Sequence, residues 1–358
     1  MNGEPTGRRS PDKIARRKSH SEDLPVLDGL RAISIACVLA AHLLPLGPKS
    51  FGLNEAAGAT GMSLFFALSG FLIVRVLHAG SVREFAVKRL ARILPLAYLY
   101  MIVVFVIYAQ SPVSLLAGLG FVLNYHPGLM ILPTEHLWSL CVEIHFYLCM
   151  AALAIFGRRA LLVVWPCCFA ITALRLAEGV HISIESHLRL DEILAGACVA
   201  TLPRFRGAKI SSWTQSPAIA HAAWIGAALA WMAASHPSSG FLQYLRPYAA
   251  ALLLAVTLGL PECRARIILG SRSFRHVAAI SYALYVIHPL TAHGWWNSGT
   301  LIERYLFKRP ASFLITILAA HASTFYWERR WMEIARRWLS RQTVGRVKFD
   351  SPAVRSPS

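Results

Sequence analysis

Two ionisable side chains stand inside the first long apolar run of the chain, residues 27–44. Arg31 lies near the start of this run and His42 near its end. A helix turns about 100° and rises about 1.5 Å per residue, so it would place them on one face, about 16 Å apart. An ionisable group in an apolar span must face a protein interior or a water-filled cavity. The pair therefore predicts a functional site, in which an imidazole suits proton transfer or nucleophilic attack.

A second set of polar side chains lies in residues 136–148, HLWSLCVEIHFYL. His136, Ser139, Glu143 and Tyr147 fall near one face of a helix, with Glu143 about 10 Å from His136 along the axis. A carboxylate in such a run needs a partner. We predict that this face lines a polar site.

Two later runs carry further polar groups. Arg189, Asp191 and Glu192 stand near the start of a short run, where Arg189 and Glu192 are spaced to form an ion pair. In residues 280–290, ISYALYVIHPL, Pro289 directly follows His288 and is expected to distort the helix. We predict that these groups and the opening run converge on one polar cavity. The members of the later run that share a face are Ser281, Tyr285 and His288.

Each candidate also has a structural interpretation. Arg31 could extend to the membrane interface, and His42 could be a hydrogen-bonded core histidine. Glu143 could form a structural ion pair, although a lone buried carboxylate is costly. Arg89 and Arg92 fit residues that merely set membrane topology. No single residue therefore carries a function by itself.

The composition sets the class of protein. Of 358 residues, 56% are hydrophobic and 15% are charged, and the mean hydropathy is +0.49. Together with recurrent long apolar runs, this predicts an all-α, polytopic transmembrane bundle. The formal charge of +18 is spread in clusters between the runs, which indicates cytoplasmic loops rather than nucleic-acid binding. The seven cysteines have neither metal-site nor disulfide spacing, so we expect no metal and no bound cofactor.

The basic clusters predict ten crossings with both termini in the cytoplasm. Residues 113–125 are too short for a full crossing and are expected to be re-entrant or half-buried. Residues 1–24 should form a disordered basic tail, residues 25–328 the membrane domain, and residues 329–358 a basic cytoplasmic tail. The predicted spans are 27–46, 58–78, 93–109, 137–156, 160–179, 187–202, 217–234, 241–260, 277–297 and 311–327.

Six segments, in order, resemble the motifs of acyltransferase family 3, a family of integral membrane acyltransferases. The resemblance extends from about residue 27 to residue 327. One departure is Ile144 and His145, which stand where the family usually has a glutamate and a glutamine. The segments are LDGLRAISIACVLAAH, GMSLFFALSGFLI, VKRLARILPLAYL, HLWSLCVEIHFYL, RLDEILAGACVA and ISYALYVIHPL.

The resemblance implies transfer of an acyl group from cytoplasmic acyl-CoA, with acetyl-CoA expected, to a hydroxyl of an exported or envelope glycan, glycolipid or related acceptor. It places the protein in the inner membrane. The catalytic residues would be His42 as base or transient acyl carrier, Glu143 as the group that holds its tautomer, and Arg31. Arg89 and Arg92 would bind the coenzyme A phosphates. Supporting residues would be Ser69, Trp138, Ser139, Arg189, Asp191, Tyr285 and His288.

Two other classes of protein remain open. An exporter of a polar or lipid-linked substrate would share the many spans and the buried charges, and paired broken helices in matching halves would favour it. A membrane scaffold without chemistry gives no reason for the polar residues of the apolar spans.

Overall fold

The computed structural model describes residues 24–206, 210–292 and 295–349, and every regular element in these ranges is helical. The predicted all-α class is thereby confirmed. The helices are α1 Pro25–Leu43, α2 Leu53–Ala79, α3 Val82–Ile107, α4 Pro112–Leu119, α5 Leu132–Glu135, α6 Trp138–Ile155, α7 Val164–Ala177, α8 Leu190–Thr201, α9 Pro203–Arg206, α10 Pro217–Ser235, α11 Arg246–Leu258, α12 Arg264–Leu269, α13 Arg272–Ala292, α14 Arg309–Ala322 and α15 Arg329–Phe349. Short 3₁₀ segments join several of them, and π-helical turns, Glu303–Lys308 and Ser323–Glu328, precede α14 and α15.

Seven segments of the described chain are long and apolar enough to cross a membrane. The predicted count of ten crossings is not confirmed, and the direction of insertion stays a prediction. The predicted span 187–202 is α8, whose 12 residues rise only about 18 Å, well short of a bilayer core. The segments are Pro25–Leu43, Leu53–Ala79, Val82–Ile107, Leu132–Ile155, Ala160–Ala177, Pro217–Ser235 and Pro237–Leu258.

The structure also bears on the predictions for the short apolar piece, residues 113–125, and for the two tails. Within residues 113–125 the regular helix is α4, whose eight residues are too few to cross, as predicted. Its re-entrant position stays a prediction. The predicted disordered tail lies outside the described residues, except for Leu24. At the other end, α15 continues directly from the preceding π turn, so helix extends beyond the predicted boundary at residue 328.

The helix α2 is the central element of the fold, and glycines allow its closest contact. A Cβ atom added at Gly70 would lie 1.8 Å from the carbonyl oxygen of Ile193 on α8, and one at Gly196 would lie 1.8 Å from that of Ala67. Small residues at such crossings let helix backbones approach within a membrane. The contact brings the start of α8, with its charged side chains, against the middle of α2.

The helix α1 packs beside α2 along most of its length. Pro25 occupies the first turn, where its missing N–H costs no hydrogen bond. The hydroxyl of Ser34 donates to the carbonyl of Gly61, at 2.7 Å, and joins the two helices in the core. Large apolar side chains elsewhere stay exposed, among them Val106 and Ile155 at 70% and 75%. Outward-facing apolar surface of this kind is expected of helices that contact lipid.

Candidate active site

Three imidazole rings meet at one end of α1, and we call them the histidine cluster: His42, His136 and His288. The ring centroids of His42 and His288 are 5.0 Å apart, and those of His136 and His288 are 5.4 Å apart. His42, in the last turn of α1, is exposed, whereas His136 and His288 are buried. The structure therefore combines an accessible imidazole with two enclosed ones.

A proline fixes the orientation of His288. Pro289 lies inside α13 and has no N–H for the carbonyl of Tyr285, its i−4 neighbour. The Nδ1 atom of His288 lies 2.8 Å from that carbonyl oxygen. Because a carbonyl only accepts, Nδ1 carries the hydrogen in the neutral ring. The helix continues through Pro289 to Ala292, and the freed backbone group anchors the imidazole.

Tyr285 and Ser139 contact the residues of the histidine cluster, and their predicted role in the site stays a prediction. The Tyr285 hydroxyl lies 2.5 Å from Ser139 Oγ and also donates to the backbone carbonyl of His136. Since His136 lies in the turn between α5 and α6, this contact ties that turn to α13. The Tyr285 ring packs against the His136 ring, at 5.3 Å between centroids.

Glu143 does not pair with His42, and this part of the sequence prediction is wrong. Its Oε1 atom accepts from Ser69 Oγ at 2.8 Å and from the Tyr147 hydroxyl. Glu143 interacts electrostatically with Arg31 instead. It follows the His136 turn by seven residues, or about 10 Å of helix rise, so α6 carries it away from the imidazoles.

Three arginines gather at the other end of α1, and we call them the basic cluster: Arg31, Arg89 and Arg92. Arg31 experiences the positive charges of Arg92 and Arg89, opposed by Asp28 and Glu143. Its Nη1 atom lies 3.7 Å from Asp28 Oδ1, and its side chain is 23% exposed. The predicted separation of Arg31 from His42 along α1 is retained. The two ends of α1 therefore differ in chemistry, with guanidinium groups at one end and imidazoles at the other.

Arg189 and Asp191 belong to a buried ion-pair network that the sequence prediction recognised in part. The predicted pair is present, because Arg189 Nη2 lies 3.2 Å from Glu192 Oε2. Glu192 also contacts Arg246 Nε at 2.6 Å. Asp191 lies 2.5 Å from Arg175 Nη1. The network thus consists of three arginines and two carboxylates: Arg175, Arg189, Arg246, Asp191 and Glu192.

Arg189 connects the network to the start of α6. The Arg189 guanidinium lies 5.1 Å from the centroid of the Trp138 ring, and Trp138 stands two residues after His136. Asp191 is fully buried and accepts from Thr172 Oγ1 at 3.1 Å as well as from Arg175. The prediction that Asp191 faces the cavity is therefore wrong, because its carboxylate points at α7.

Arg175 and Arg246 were missed by sequence reasoning. Both are 0% exposed and lie in or at the start of apolar runs. An arginine in such a run requires a partner, which is the signal that could have identified them. Their partners are distant in sequence, so spacing could not supply the pairing.

A largely apolar groove of about 490 Å³ lies beside the histidine cluster, between α3, α13 and the C-terminal helices. Its walls include Tyr100 and Ile287, and Arg330 lines it as well. The Tyr100 ring packs 5.5 Å from the His136 ring. The groove and the histidine cluster thus share a wall. In the described residues, no three His, Cys, Asp or Glu side chains are placed to hold a metal ion.

Comparison with known proteins gives the family. The peptidoglycan O-acetyltransferase OatA of Listeria monocytogenes is 33% identical over 152 residues, which are 35% of this chain and 23% of that protein. YrhL of Bacillus subtilis, whose name as a peptidoglycan O-acetyltransferase is provisional, is 31% identical over 158 residues, or 37% of this chain and 24% of that protein.

The matched region spans about a quarter of the length of these relatives. No solved structure matches the chain. The family model described as an acyltransferase domain matches residues 24–326, and this range contains the histidine cluster, the basic cluster and the buried ion-pair network. The chain therefore belongs to acyltransferase family 3, as its motifs predict.

Proposed function

We propose that this protein is a membrane-embedded O-acyltransferase of the inner membrane. It takes an acyl group, acetyl first among those to test, from cytoplasmic acyl-CoA and transfers it to a hydroxyl of an exported or envelope glycan or glycolipid. The observation that carries this proposal is the arrangement along α1. The basic cluster lies around Arg31 at one end, and the exposed imidazole of His42 lies at the other.

The basic cluster would bind the phosphates of the donor. Arg31 experiences the positive charges of both Arg89 and Arg92, which Asp28 and Glu143 oppose. Arg92 also interacts with the buried carboxylate of Glu328. Phosphates satisfy guanidinium groups through charge-assisted, often bidentate, hydrogen bonds. The thioester stands at the far end of the pantetheine arm, so bound phosphates at this end direct the acyl group along α1 towards His42.

His42 would carry out the chemistry in one of two ways. As a general base it would remove the proton of the acceptor hydroxyl while that oxygen attacks the thioester. As a nucleophile it would take the acyl group from coenzyme A first and release it to the acceptor afterwards. Glu143 would act on the donor end, where its charge opposes Arg31 and the hydrogen bond that it accepts from Ser69 joins α2 to α6.

The acceptor is proposed from the names of the relatives. Two of them are named for peptidoglycan O-acetylation, one provisionally. An envelope glycan is therefore the first acceptor to test. The groove beside the histidine cluster offers a place for an apolar part of a lipid-linked acceptor.

The test uses the purified protein in lipid nanodiscs with radiolabelled acetyl-CoA. Envelope glycans and lipids from cells that lack the gene serve as acceptors. The unmutated protein is expected to label this fraction, and mass spectrometry should find the added acyl group. His42→Ala is expected to abolish the labelling. Full transfer by His42→Ala would contradict the assignment of His42, and export of a substrate without acetyl-CoA consumption would favour a transporter.

The donor site has its own test and a matched control. The double variant Arg89→Gln with Arg92→Gln is expected to raise the KM for acetyl-CoA, because the phosphates lose two guanidinium partners. Lys88→Gln removes one positive charge from the same helix, but Lys88 pairs with Glu84 at 2.7 Å, so its KM should match that of the unmutated protein. An unchanged KM in the double variant would contradict the donor site.

A further inference from the structure

His136 keeps one buried nitrogen without a partner. Its Nε2 atom lies 3.2 Å from the carbonyl oxygen of Val286. Because a carbonyl oxygen only accepts, Nε2 carries the hydrogen and Nδ1 of the neutral ring holds a free lone pair. Nδ1 has no hydrogen-bond partner, and the residue is only 6% exposed. Such an unsatisfied group costs about 1–3 kcal/mol, so its presence calls for a reason.

The groups around His136 do not satisfy this nitrogen. The backbone carbonyl of Pro133 also interacts with the ring, but a carbonyl only accepts and cannot donate to the lone pair of Nδ1. The Tyr100 hydroxyl donates to the carbonyl of Pro133 at 2.6 Å. The Tyr285 hydroxyl is engaged with Ser139 and with the His136 backbone. His288 uses its Nδ1 hydrogen on the Tyr285 carbonyl. The titratable groups that face the ring from α3 and α13 are therefore committed elsewhere or offer an unprotonated nitrogen.

The histidine cluster thus contains two enclosed rings that each keep an unprotonated nitrogen. By the same reasoning that applies to His136, His288 in its Nδ1–H form has an unprotonated Nε2. The two rings are 5.4 Å apart, and His288 is 5.0 Å from the exposed ring of His42. A proton released beside His42 would therefore meet neutral, unprotonated imidazoles directly behind it.

We propose that His136 is the general base for the second half of acyl transfer, and that His42 carries the acyl group between the two halves. This inference rests on the function proposed above and deepens it by assigning the two roles to two residues. It also gives a reason for the unpartnered Nδ1 atom of His136.

The proposed steps balance in atoms and charge. First, an unprotonated nitrogen of His42 attacks the thioester carbonyl, a C–N bond forms, the C–S bond breaks and coenzyme A leaves as a thiolate. Next, the acceptor oxygen attacks the acyl carbon while its proton moves to Nδ1 of His136. A C–O bond forms, the C–N bond breaks and its electron pair returns to His42. The proton on His136 finally passes to water, and the released thiolate takes up a proton from water, which completes free coenzyme A and returns His136 to its neutral form.

The variant His136→Gln distinguishes two roles of His136, that of a base and that of a structural hydrogen-bond donor. The glutamine amide can still donate to the Val286 carbonyl, but it has no basic nitrogen. The control is His236→Gln, since His236 Nε2 also contacts a backbone carbonyl, that of Phe51 at 3.0 Å, while its Nδ1 already accepts from Ser238 N. The control should transfer acyl groups at the unmutated rate.

The experiment uses the nanodisc protein, labelled acetyl-CoA and the envelope fraction described above. His136→Gln is expected to release one burst of coenzyme A and to hold the label on His42, where peptide mass spectrometry would find it. Its steady transfer should fall by about 10²- to 10⁴-fold, the usual effect of losing a general base. Added imidazole should restore transfer in His136→Ala, because it supplies the missing base in the vacated space.

Each outcome bears on one proposal. Transfer by His136→Gln at the unmutated rate would overturn the base assignment and leave His136 a structural residue. A folded His136→Gln that forms no labelled His42 and transfers nothing would overturn it too, because the histidine would then be needed before the second half. Absence of transfer by the unmutated protein would instead contradict the function proposed above.

Discussion

Neutralising Glu192 should destabilise the protein more than any other single loss of charge in the buried ion-pair network. Glu192 contacts two arginines, with Oε1 2.6 Å from Arg246 Nε and Oε2 3.2 Å from Arg189 Nη2. None of these side chains is more than 2% exposed. With three arginines and two carboxylates, the network carries a formal charge of +1, and Glu192→Gln would leave it at +2.

The expected size follows from burial. Removing one partner of a buried ion pair typically costs about 3–5 kcal/mol, because the remaining charge stays desolvated and unpaired. The matched control is Glu84→Gln. Its carboxylate lies 2.7 Å from Lys88 Nζ, but the two side chains are 51% and 38% exposed. An exposed pair of this kind contributes about 0.2–1 kcal/mol. The substitution and the contact distance are alike, so burial is the main difference.

The measurement is the free energy of unfolding in mixed micelles, with the denaturing detergent fraction raised and tryptophan fluorescence recorded. Glu192→Gln should unfold at a much lower fraction than the unmutated protein, and Glu84→Gln at nearly the same fraction. A loss of less than about 1 kcal/mol for Glu192→Gln would refute the reasoning, because water or another group would then be compensating the arginines.

Three further predictions test the packing and the site. Gly70→Ala should lower the unfolding free energy, because its Cβ would lie 1.8 Å from a carbonyl oxygen of α8, whereas Gly226→Ala, with open space around it, should not. Trp231→Phe should cost about 1 kcal/mol in the same unfolding assay, since its indole N–H donates to a buried hydroxyl on α2 at 2.9 Å. Glu143→Gln should lower the acyl-transfer rate while the melting temperature changes little, because the amide oxygen can accept the same hydrogen bonds but no longer opposes Arg31.

Helical spacing predicted contacts within one helix better than contacts between helices. Arg189 and Glu192 pair as their i,i+3 spacing indicates, and Arg31 and His42 lie at opposite ends of α1. By contrast, the partner of Glu143 was assigned wrongly. Periodicity places a residue on a face and at a height, but the neighbouring face depends on which helices pack together, and Ser69 on α2 became the partner.

The histidine cluster also shows what helical spacing does not predict. His288 was expected to converge with the first apolar run, and its ring lies 5.0 Å from that of His42, with Pro289 explaining its orientation. His136 was recognised on a polar face, but its unpartnered nitrogen becomes visible only when Val286 and the surrounding hydroxyls are located in three dimensions. Whether a buried polar atom finds a hydrogen-bond partner depends on residues that are distant in sequence, so it is not predicted from a single sequence.

The buried ion-pair network also constrains how the chain is assembled. Arg175 on α7, Glu192 on α8 and Arg246 on α11 are brought together from segments far apart in the sequence. While the chain is being synthesised, α7 and α8 enter the membrane before α11 exists to supply Arg246. Glu192 would then lack one of its two partners, and α8, at 12 residues, is too short to hold itself across the bilayer. We therefore expect the packing of α7 and α8 to be completed only when α11 supplies Arg246.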